Sequence, residues 1–291
     1  MEQTLAFDDY AFLAKHQVRS QQPNGRLLFM AQAVRECLPA DGQSALLDLG
    51  GGTNSYLSFV GPGYRKIVGD SIPAAVDGLS EVETVVAELP ETGLPTAIAD
   101  WISALEVIEH MPPSVYVQSL GEIARLSRRF VAISSPFFQH LESAHVQCAS
   151  CGAIYQCEGH YRRFEPEDIY RLQDHFGGLV RLGFATEPRG MAALRLRYRL
   201  KQVRDFLRRM GLQPHARPPF TKCPRCGQEE FHGYETFRTR AEWPDQSHWS
   251  VDPRRLAAGP VGNFFLAVFD RHADPISAKS EDRWTKWSRT S

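Results

Sequence analysis

The chain has 291 residues, of which 43% are hydrophobic and 23% charged, and its 33 basic and 34 acidic side chains give a formal net charge of −1. This composition is typical of a globular protein and excludes disordered, collagenous and coiled-coil chains. The balanced charge argues against a globally basic nucleic-acid-binding protein. No apolar run approaches the roughly 20 residues needed to span a bilayer. The first residues also lack the basic and apolar regions of a secretion signal, so we expect a cytoplasmic protein.

Residues 1–40 are predicted to be helical, and from about residue 44 short apolar runs alternate with helical stretches. The runs lie at residues 45–49, 66–69, 84–86, 101–105, 130–133, 179–184 and 263–269. Near-continuous apolar strands separated by helices indicate a parallel sheet that is covered on both faces. We therefore predict an α/β fold, a doubly wound and mostly parallel seven-stranded sheet over residues 41–272, followed by a polar tail at 273–291.

Two stretches interrupt this alternation. Residues 136–163 are rich in cysteine and histidine, and residues 189–260 are too long for a simple turn. We interpret both as insertions that together form a zinc-binding subdomain within one α/β domain. Ligands bind at the carboxyl ends of the strands in such sheets. Since both insertions are predicted to leave that edge, we expect them to form a lid over the site.

The first predicted strand runs into a glycine turn, with the sequence Leu47-Asp48-Leu49-Gly50-Gly51-Gly52-Thr53-Asn54. A strand followed by glycines and a helix lets the backbone approach a ligand closely. The second strand ends in Asp70, where a carboxylate can accept hydrogen bonds from both hydroxyls of a ribose. The alternative is a tight turn without a ligand. The order strand, turn, helix, strand and acid favours a nucleoside-type ligand.

These residues resemble the first motif of class I S-adenosylmethionine-dependent methyltransferases, in which an acid is followed by spaced glycines. Asp48, Gly50 and Gly52 match that motif, and Asn54 stands where a third glycine is common. The fourth apolar run continues into Glu106-Val107-Ile108-Glu109-His110, which is similar to the branch of the family that methylates small molecules. The resemblance implies a Rossmann-like methyltransferase fold, S-adenosylmethionine as cofactor, and Glu106 as a contact near its methionine part.

One further cofactor contact and two candidate catalytic bases are also predicted. The resemblance implies an acid after the third strand, near the adenine; Glu88 is the candidate, with Ala87 as the alternative if the alignment shifts by one residue. His110 and His160 are candidate catalytic bases, because the ordinary pKa of histidine lies near neutrality. The alternative for both is a histidine that packs and hydrogen-bonds locally.

Four of the six cysteines form two Cys-x-x-Cys-Gly motifs, Cys148 with Cys151 and Cys223 with Cys226. Each tight turn directs two thiolates at one point, so we predict one structural Zn²⁺ with four cysteine ligands. The first pair followed by Gly159-His160-Tyr161 is similar to a pattern in some bacterial methyltransferases from surface-polysaccharide and secondary-metabolite contexts. A redox role for one pair is the alternative, but it leaves the other pair unexplained. Cys37 and Cys157 are predicted to be ordinary thiols.

Residues 189–217 contain nine basic residues and one acid, a local charge of +8. We predict an amphipathic helix there, with either a solvated basic face or an attraction for phosphate, an anionic membrane or RNA.

The predicted function is methyl transfer from S-adenosylmethionine to a small-molecule acceptor, a hydroxyl of a sugar or secondary metabolite, with no nucleic-acid partner. An RNA methyltransferase and an inactive, zinc-stabilised cofactor-binding scaffold stay open as alternatives. The predicted acceptor pocket is lined by Phe137, Phe138, Tyr155, His160 and Tyr161.

Overall fold

The structure is a computed structural model of the chain, and it describes residues 25–77, 79–137, 139, 141, 145–185, 223–233 and 264–276. The chain divides into two compact units. Residues 1–7, 140–160 and 186–260 form the first, which we call the cysteine unit; residues 8–139, 161–185 and 261–291 form the second, which we call the sheet domain. Within the described residues, none of the helices has the length and apolar character needed to cross a membrane.

Helices and strands are numbered in chain order. The helices, all in the sheet domain, are α1 (Gly25–Cys37), α2 (Pro73–Val76), α3 (Tyr116–Leu126), α4 (Pro166–Arg171) and α5 (Gln173–Phe176). The sheet-domain strands are β1 (Ala45–Leu49), β2 (Arg65–Asp70), β3 (Glu83–Val86), β4 (Ala99–Leu105), β5 (Ser127–Pro136), β8 (Gly178–Ala185) and β10 (Phe264–Asp270). The cysteine unit contains β6 (His145–Cys148), β7 (Ile154–Gln156) and β9 (Phe231–Gly233).

The sheet domain has one seven-stranded sheet in the order β3-β2-β1-β4-β5-β10-β8. Strands β3, β2, β1, β4 and β5 pair in parallel, whereas β10 is antiparallel to both β5 and β8. This confirms the predicted doubly wound, mostly parallel sheet of the Rossmann-like methyltransferase fold. From β1 the chain adds β2 and β3 on one side of the sheet and then returns to add β4 and β5 on the other side. This change of side places a crevice at the carboxyl ends of β1 and β4.

The central strands are buried on both faces of the sheet, which explains their continuous apolar runs. All five residues of β1 are buried; Leu47 packs in the core on one face with α3 and α5, and Leu46 packs in the core on the other face with α1. The edge strand β3 is mostly exposed, as expected for a strand with a neighbour on one side only.

The cysteine unit has a small antiparallel sheet in the order β7-β6-β9. These strands are three or four residues long, and the sequence pattern did not predict them. Of the predicted N-terminal helical region, residues 25–37 form α1. Residues 1–24, the basic segment 189–217, Phe138 and the tail beyond residue 276 lie outside the described residues.

Candidate functional site

The glycine turn after β1 requires glycine for two different reasons. Gly50 has φ = +71°, a left-handed conformation that side chains disfavour, and a Cβ there would lie 2.5 Å from Cγ2 of Val107. Gly51 has an ordinary φ of −69°, but a Cβ there would lie 2.4 Å from Oδ2 of Asp48. Gly52 is again left-handed, at φ = +47°. The motif spacing predicts Gly50 and Gly52 but not Gly51, because Gly51 is constrained by its contact with Asp48 and not by a motif position.

Asp48 supports this turn from inside the fold. Its carboxyl is 2% exposed; Oδ1 accepts a hydrogen bond from Ser103 Oγ at 2.6 Å, and Oδ2 accepts one from Ser55 Oγ at 2.6 Å. Burial raises the pKa of Asp48 to about 6, against the opposing effect of the two serine hydroxyls. Since both oxygens are occupied by serines, Asp48 shapes the turn that faces the crevice.

Asp70 ends β2, the strand adjacent to β1, and lies beside the same turn. A Cβ on Gly52 would lie 3.4 Å from its Oδ2, and its Oδ1 accepts a hydrogen bond from the Ile72 N–H at 3.0 Å. Burial raises the pKa of Asp70 above its usual value. The side chain is only partly buried, so this carboxyl is accessible next to a glycine-lined stretch of backbone.

Glu106 directly follows β4, on the other side of β1. It is a non-glycine residue with a positive φ of +59°, and its N–H donates to the Ser134 carbonyl at 2.9 Å. Its Oε1 accepts a hydrogen bond from Ser134 Oγ at 3.0 Å and pairs with Nη1 of Arg26 at 3.0 Å. Burial raises the pKa of Glu106, while Arg26 and Ser134 oppose that shift. The sequence did not indicate Arg26, which comes from α1.

The third strand, β3, is followed by the pair that the sequence left unresolved. Ala87 is buried, and its N–H donates to the Asp70 carbonyl at 2.9 Å, whereas the Glu88 side chain is exposed. The structure therefore brings the glycine turn, Asp70 and Glu106 to the carboxyl ends of the three adjacent strands β2, β1 and β4. Glu88 follows the next strand outward, and its contact with a cofactor stays a prediction.

The segment after Glu106 forms a 3₁₀ turn, Ile108–His110. Glu109 is fully buried, and neither carboxyl oxygen has a hydrogen-bond partner within the described part of the chain. Burial, reinforced by the negative charge of Glu106, raises the pKa of Glu109 well above its usual range. His110 is partly buried at the end of the same turn.

His160, the other candidate base, belongs to the cysteine unit. Its backbone N–H donates to Gln156 Oε1 at 2.9 Å, and its ring Nδ1 lies 3.8 Å from Glu158 Oε2. These contacts agree with the local-packing alternative as well as with a functional role. The catalytic roles of His110 and His160 stay predictions.

The residues predicted to line an acceptor pocket fall in both units. Phe137 is buried in the sheet-domain core, where its ring contacts Phe265 edge-on at 6.4 Å between centroids. Tyr155 is buried in the core of the cysteine unit. Tyr161 is 37% exposed, and its N–H donates to the Glu109 carbonyl at 2.8 Å. Phe137 thus serves core packing, and Tyr161 is exposed; Phe138 lies outside the described residues.

The four cysteines of the two Cys-x-x-Cys-Gly motifs come together in the cysteine unit. Cys148 Sγ lies 3.5 Å from Cys226 Sγ, Cys151 Sγ lies 3.5 Å from Cys223 Sγ, and all four sulfurs are within 4.8 Å of one another. All four are free thiols. A tetrahedral Zn²⁺ with Zn–S bonds of about 2.3 Å has sulfurs about 3.8 Å apart, so this cluster fits the ion.

The two knuckles share one backbone geometry. In each, a glycine follows the second cysteine with a left-handed φ, +70° at Gly152 and +72° at Gly227, and its N–H donates to the carbonyl of the first cysteine. The Cys151 N–H donates to Cys148 Sγ at 3.5 Å, and this bond is the main cause that lowers the pKa of the Cys148 thiol to about 6. β6 pairs with β9, which joins the two knuckles.

No protein-family model matches the chain, and no curated protein matches it either. Among solved structures, it is similar to a SAM-dependent methyltransferase from Archaeoglobus fulgidus, with 13% identity, a TM-score of 0.47 and coverage of 90% of this chain and 100% of that one. A SAM-dependent methyltransferase from Aquifex aeolicus matches with 19% identity, a TM-score of 0.39 and coverage of 62% and 93%.

A third similar structure is the 1,6-didemethyltoxoflavin-N1-methyltransferase of Burkholderia thailandensis, solved with 1,6-didemethyltoxoflavin and S-adenosylhomocysteine. It has 18% identity, a TM-score of 0.43 and coverage of 62% of this chain and 78% of that one. At these identities and TM-scores, neither activity nor ligand transfers to this chain, and the functional argument rests on its own residues.

Proposed function

We propose that this protein transfers a methyl group from S-adenosylmethionine to a hydroxyl of a small-molecule acceptor. The observation that carries the proposal is the placement of the glycine turn, Asp70 and Glu106 at the carboxyl ends of adjacent parallel strands. That edge, at the reversal between β1 and β4, is where doubly wound sheets bind ligands.

The residues at this edge fit the cofactor. The backbone of the turn is within reach of a ligand, since Gly50 is exposed, Gly51 and Gly52 are only partly buried, and none of the three carries a side chain. A nucleoside can therefore lie close to the chain there. Asp70, accessible beside the turn, would accept hydrogen bonds from the ribose hydroxyls, and Glu88 would lie toward the adenine.

Glu106 would contact the methionine part of the cofactor from the other side of β1. Its carboxyl is held by Arg26 and Ser134, so its position is set before any ligand binds. The cofactor, when bound, supplies a methyl group that its positive sulfur already activates. The chain therefore has to hold and orient the two reactants and accept a proton from the acceptor.

The acceptor class is supported by the resemblance of residues 106–110 to the small-molecule branch. An acceptor hydroxyl needs a group that takes its proton, and His110 and His160 are the proposed bases. We also propose that Cys148, Cys151, Cys223 and Cys226 hold one structural Zn²⁺, since their sulfurs lie at tetrahedral spacing.

Calorimetric titration with S-adenosylhomocysteine tests the cofactor site. Asp70→Asn keeps the size of the side chain but removes its charge and one acceptor, so we expect affinity to fall by about 10-fold or more. Asp77→Asn, at an exposed position of the same domain, is the matched control and should bind normally. Equal affinity in both variants would remove Asp70 from the site, and no binding by the native chain would overturn the proposed function.

A further inference from the structure

Glu109 presents a buried carboxyl that lacks a hydrogen-bond partner among the residues that the structure describes. The side chain is 0% exposed, and neither of its oxygens meets a donor among the residues that the structure describes. Burying an unpaired carboxylate is costly, so such a group either takes up a proton or is paired with a hydrogen-bond donor, a counter-ion or a metal ion that displaces the proton. The position of Glu109 therefore calls for a proton or a partner.

Each nearby arginine has a described partner other than Glu109, although the Nε of both Arg26 and Arg162 is itself buried without a hydrogen-bond partner among the described residues. Arg26 pairs with Glu106 at 3.0 Å. Arg162 lies over the ring of Tyr116, 3.3 Å from its centroid, and donates to the Met111 carbonyl at 2.7 Å. Neither arginine forms a salt bridge with Glu109 within the described ranges. Ser135 Oγ is near enough to oppose slightly the rise in the pKa of Glu109, but the two groups do not meet in hydrogen-bond geometry.

The neighbours of Glu109 are those of a cation site. A ring nitrogen of His110, on the same 3₁₀ turn, lies within 4.8 Å of a carboxyl oxygen of Glu109. The negative charge of Glu106 also acts on Glu109. A carboxylate and an imidazole together suit first-row divalent cations, for which Mn²⁺ is a convenient spectroscopic probe.

We propose that Glu109 and His110 bind a divalent cation of the Mn²⁺ type at the carboxyl end of β4, with Glu106 supplying a second negative charge nearby. Water and an oxygen of the acceptor would complete the coordination, as is common for hard cations with few protein ligands. A cation there would polarise an acceptor hydroxyl and ease the loss of its proton. This role rests on the proposed methyl transfer, whereas the binding of the cation does not.

Electron paramagnetic resonance of added Mn²⁺, on the full chain with zinc in its cysteine cluster, tests the site directly. We expect one Mn²⁺ to bind per chain. Glu109→Gln and His110→Asn should each weaken that binding by more than about 10-fold, because each removes a proposed ligand. Glu91→Gln, an exposed carboxyl of the sheet domain, is the control and should bind as the native chain does.

Absence of stoichiometric Mn²⁺ binding in the native chain, or equal affinity in the Glu109 and Glu91 variants, would overturn the proposal. Glutamine is a neutral match for the buried side chain, so the variant should fold; circular dichroism and a cooperative urea unfolding transition check this. Mn²⁺ binding in a chain that fails to bind S-adenosylhomocysteine would support the cation site and refute the methyltransferase proposal. Binding of S-adenosylhomocysteine without binding of Mn²⁺ would refute the cation site and support the methyltransferase proposal.

Discussion

The sheet domain and the cysteine unit are stabilised in different ways. The sheet domain has an extensive apolar core on each face of its sheet, formed by long side chains such as Leu47 and Trp101. The described core of the cysteine unit consists of Val146, Cys148, Tyr155, Cys157 and Cys223. These described residues by themselves bury too little apolar surface to offset the entropy of ordering their segments. We infer that burial of apolar surface stabilises the sheet domain and that the described segments of the cysteine unit depend on the proposed Zn²⁺.

Replacing one zinc ligand should have the largest effect and should affect one unit only. Structural zinc contributes roughly 10–16 kcal/mol of apparent binding free energy in small metal-stabilised folds. In Cys226→Ser we therefore expect loss of bound zinc and of hydrogen-exchange protection in residues 145–156, with the sheet domain still folded. Metal analysis and hydrogen exchange measure these outcomes.

Cys157→Ala is the control for that experiment, because Cys157 is buried in the same core but lies outside the group of four sulfurs. It should keep one equivalent of zinc. A folded native protein without zinc, or full zinc retention in Cys226→Ser, would show that the cysteine unit does not depend on the metal.

Shortening a side chain in the core of the sheet domain should destabilise that domain and leave the cysteine unit unchanged. Leu47 is fully buried in the middle of β1, and Leu47→Ala should destabilise the sheet domain by about 2–5 kcal/mol through lost burial and a cavity. Zinc content should not change, because the metal ligands belong to the other unit. Urea unfolding measures the loss, and a simultaneous loss of zinc would mean that the two units fold as one.

Asp48 is a polar exception within the apolar core of the sheet domain, and it should make stability depend on pH. Its pKa is about 6 in the folded chain, against about 3.9 when unfolded. The folded state thus holds the proton more tightly than the unfolded state. The contribution of Asp48 to the free energy of unfolding is therefore largest below pH 4 and is lost as the pH rises through 6. The loss amounts to about 3 kcal/mol.

Asp48→Asn removes the titrating group. The native chain loses stability between pH 4 and pH 7, whereas the variant should not. The unfolding free energy of the variant minus that of the native chain should therefore rise by about 3 kcal/mol over this range, as measured by urea unfolding at each pH. A constant difference across that range would show that Asp48 keeps an ordinary pKa in the folded protein.

The smallest effect should come from the ion pair at the sheet edge. Arg65 pairs with Glu83 across β2 and β3 at 2.6 Å, but both side chains are about half exposed. Solvent screens such pairs, so Glu83→Gln should change the unfolding free energy by less than about 1 kcal/mol. A larger change would indicate that edge-strand pairing contributes more than the exposed geometry implies.

Local sequence patterns were sufficient to predict the strands and turns whose conformation depends on residues adjacent in the chain. Each of the seven apolar runs overlaps one strand of the sheet, since strands buried on both faces need continuous apolar residues. Both Cys-x-x-Cys-Gly motifs form the predicted turns, because each turn closes within five residues and its glycine takes the left-handed conformation. The small strands β6, β7 and β9 escaped prediction, since segments of three or four residues carry little periodicity.

The amino-acid pattern was enough to predict the strands of the sheet domain, the glycine turn with Asp70 after it, and the grouping of the four cysteines. The surroundings of the site carboxyls became visible only in the folded chain: Arg26 reaches Glu106 from α1, Ser103 reaches Asp48 from β4, and Glu109 has no hydrogen-bond partner among the described residues. The physical reason is distance along the chain. A turn or strand is set by adjacent residues, whereas the charge and hydrogen bonding of a buried carboxyl depend on whichever distant segments the fold packs around it.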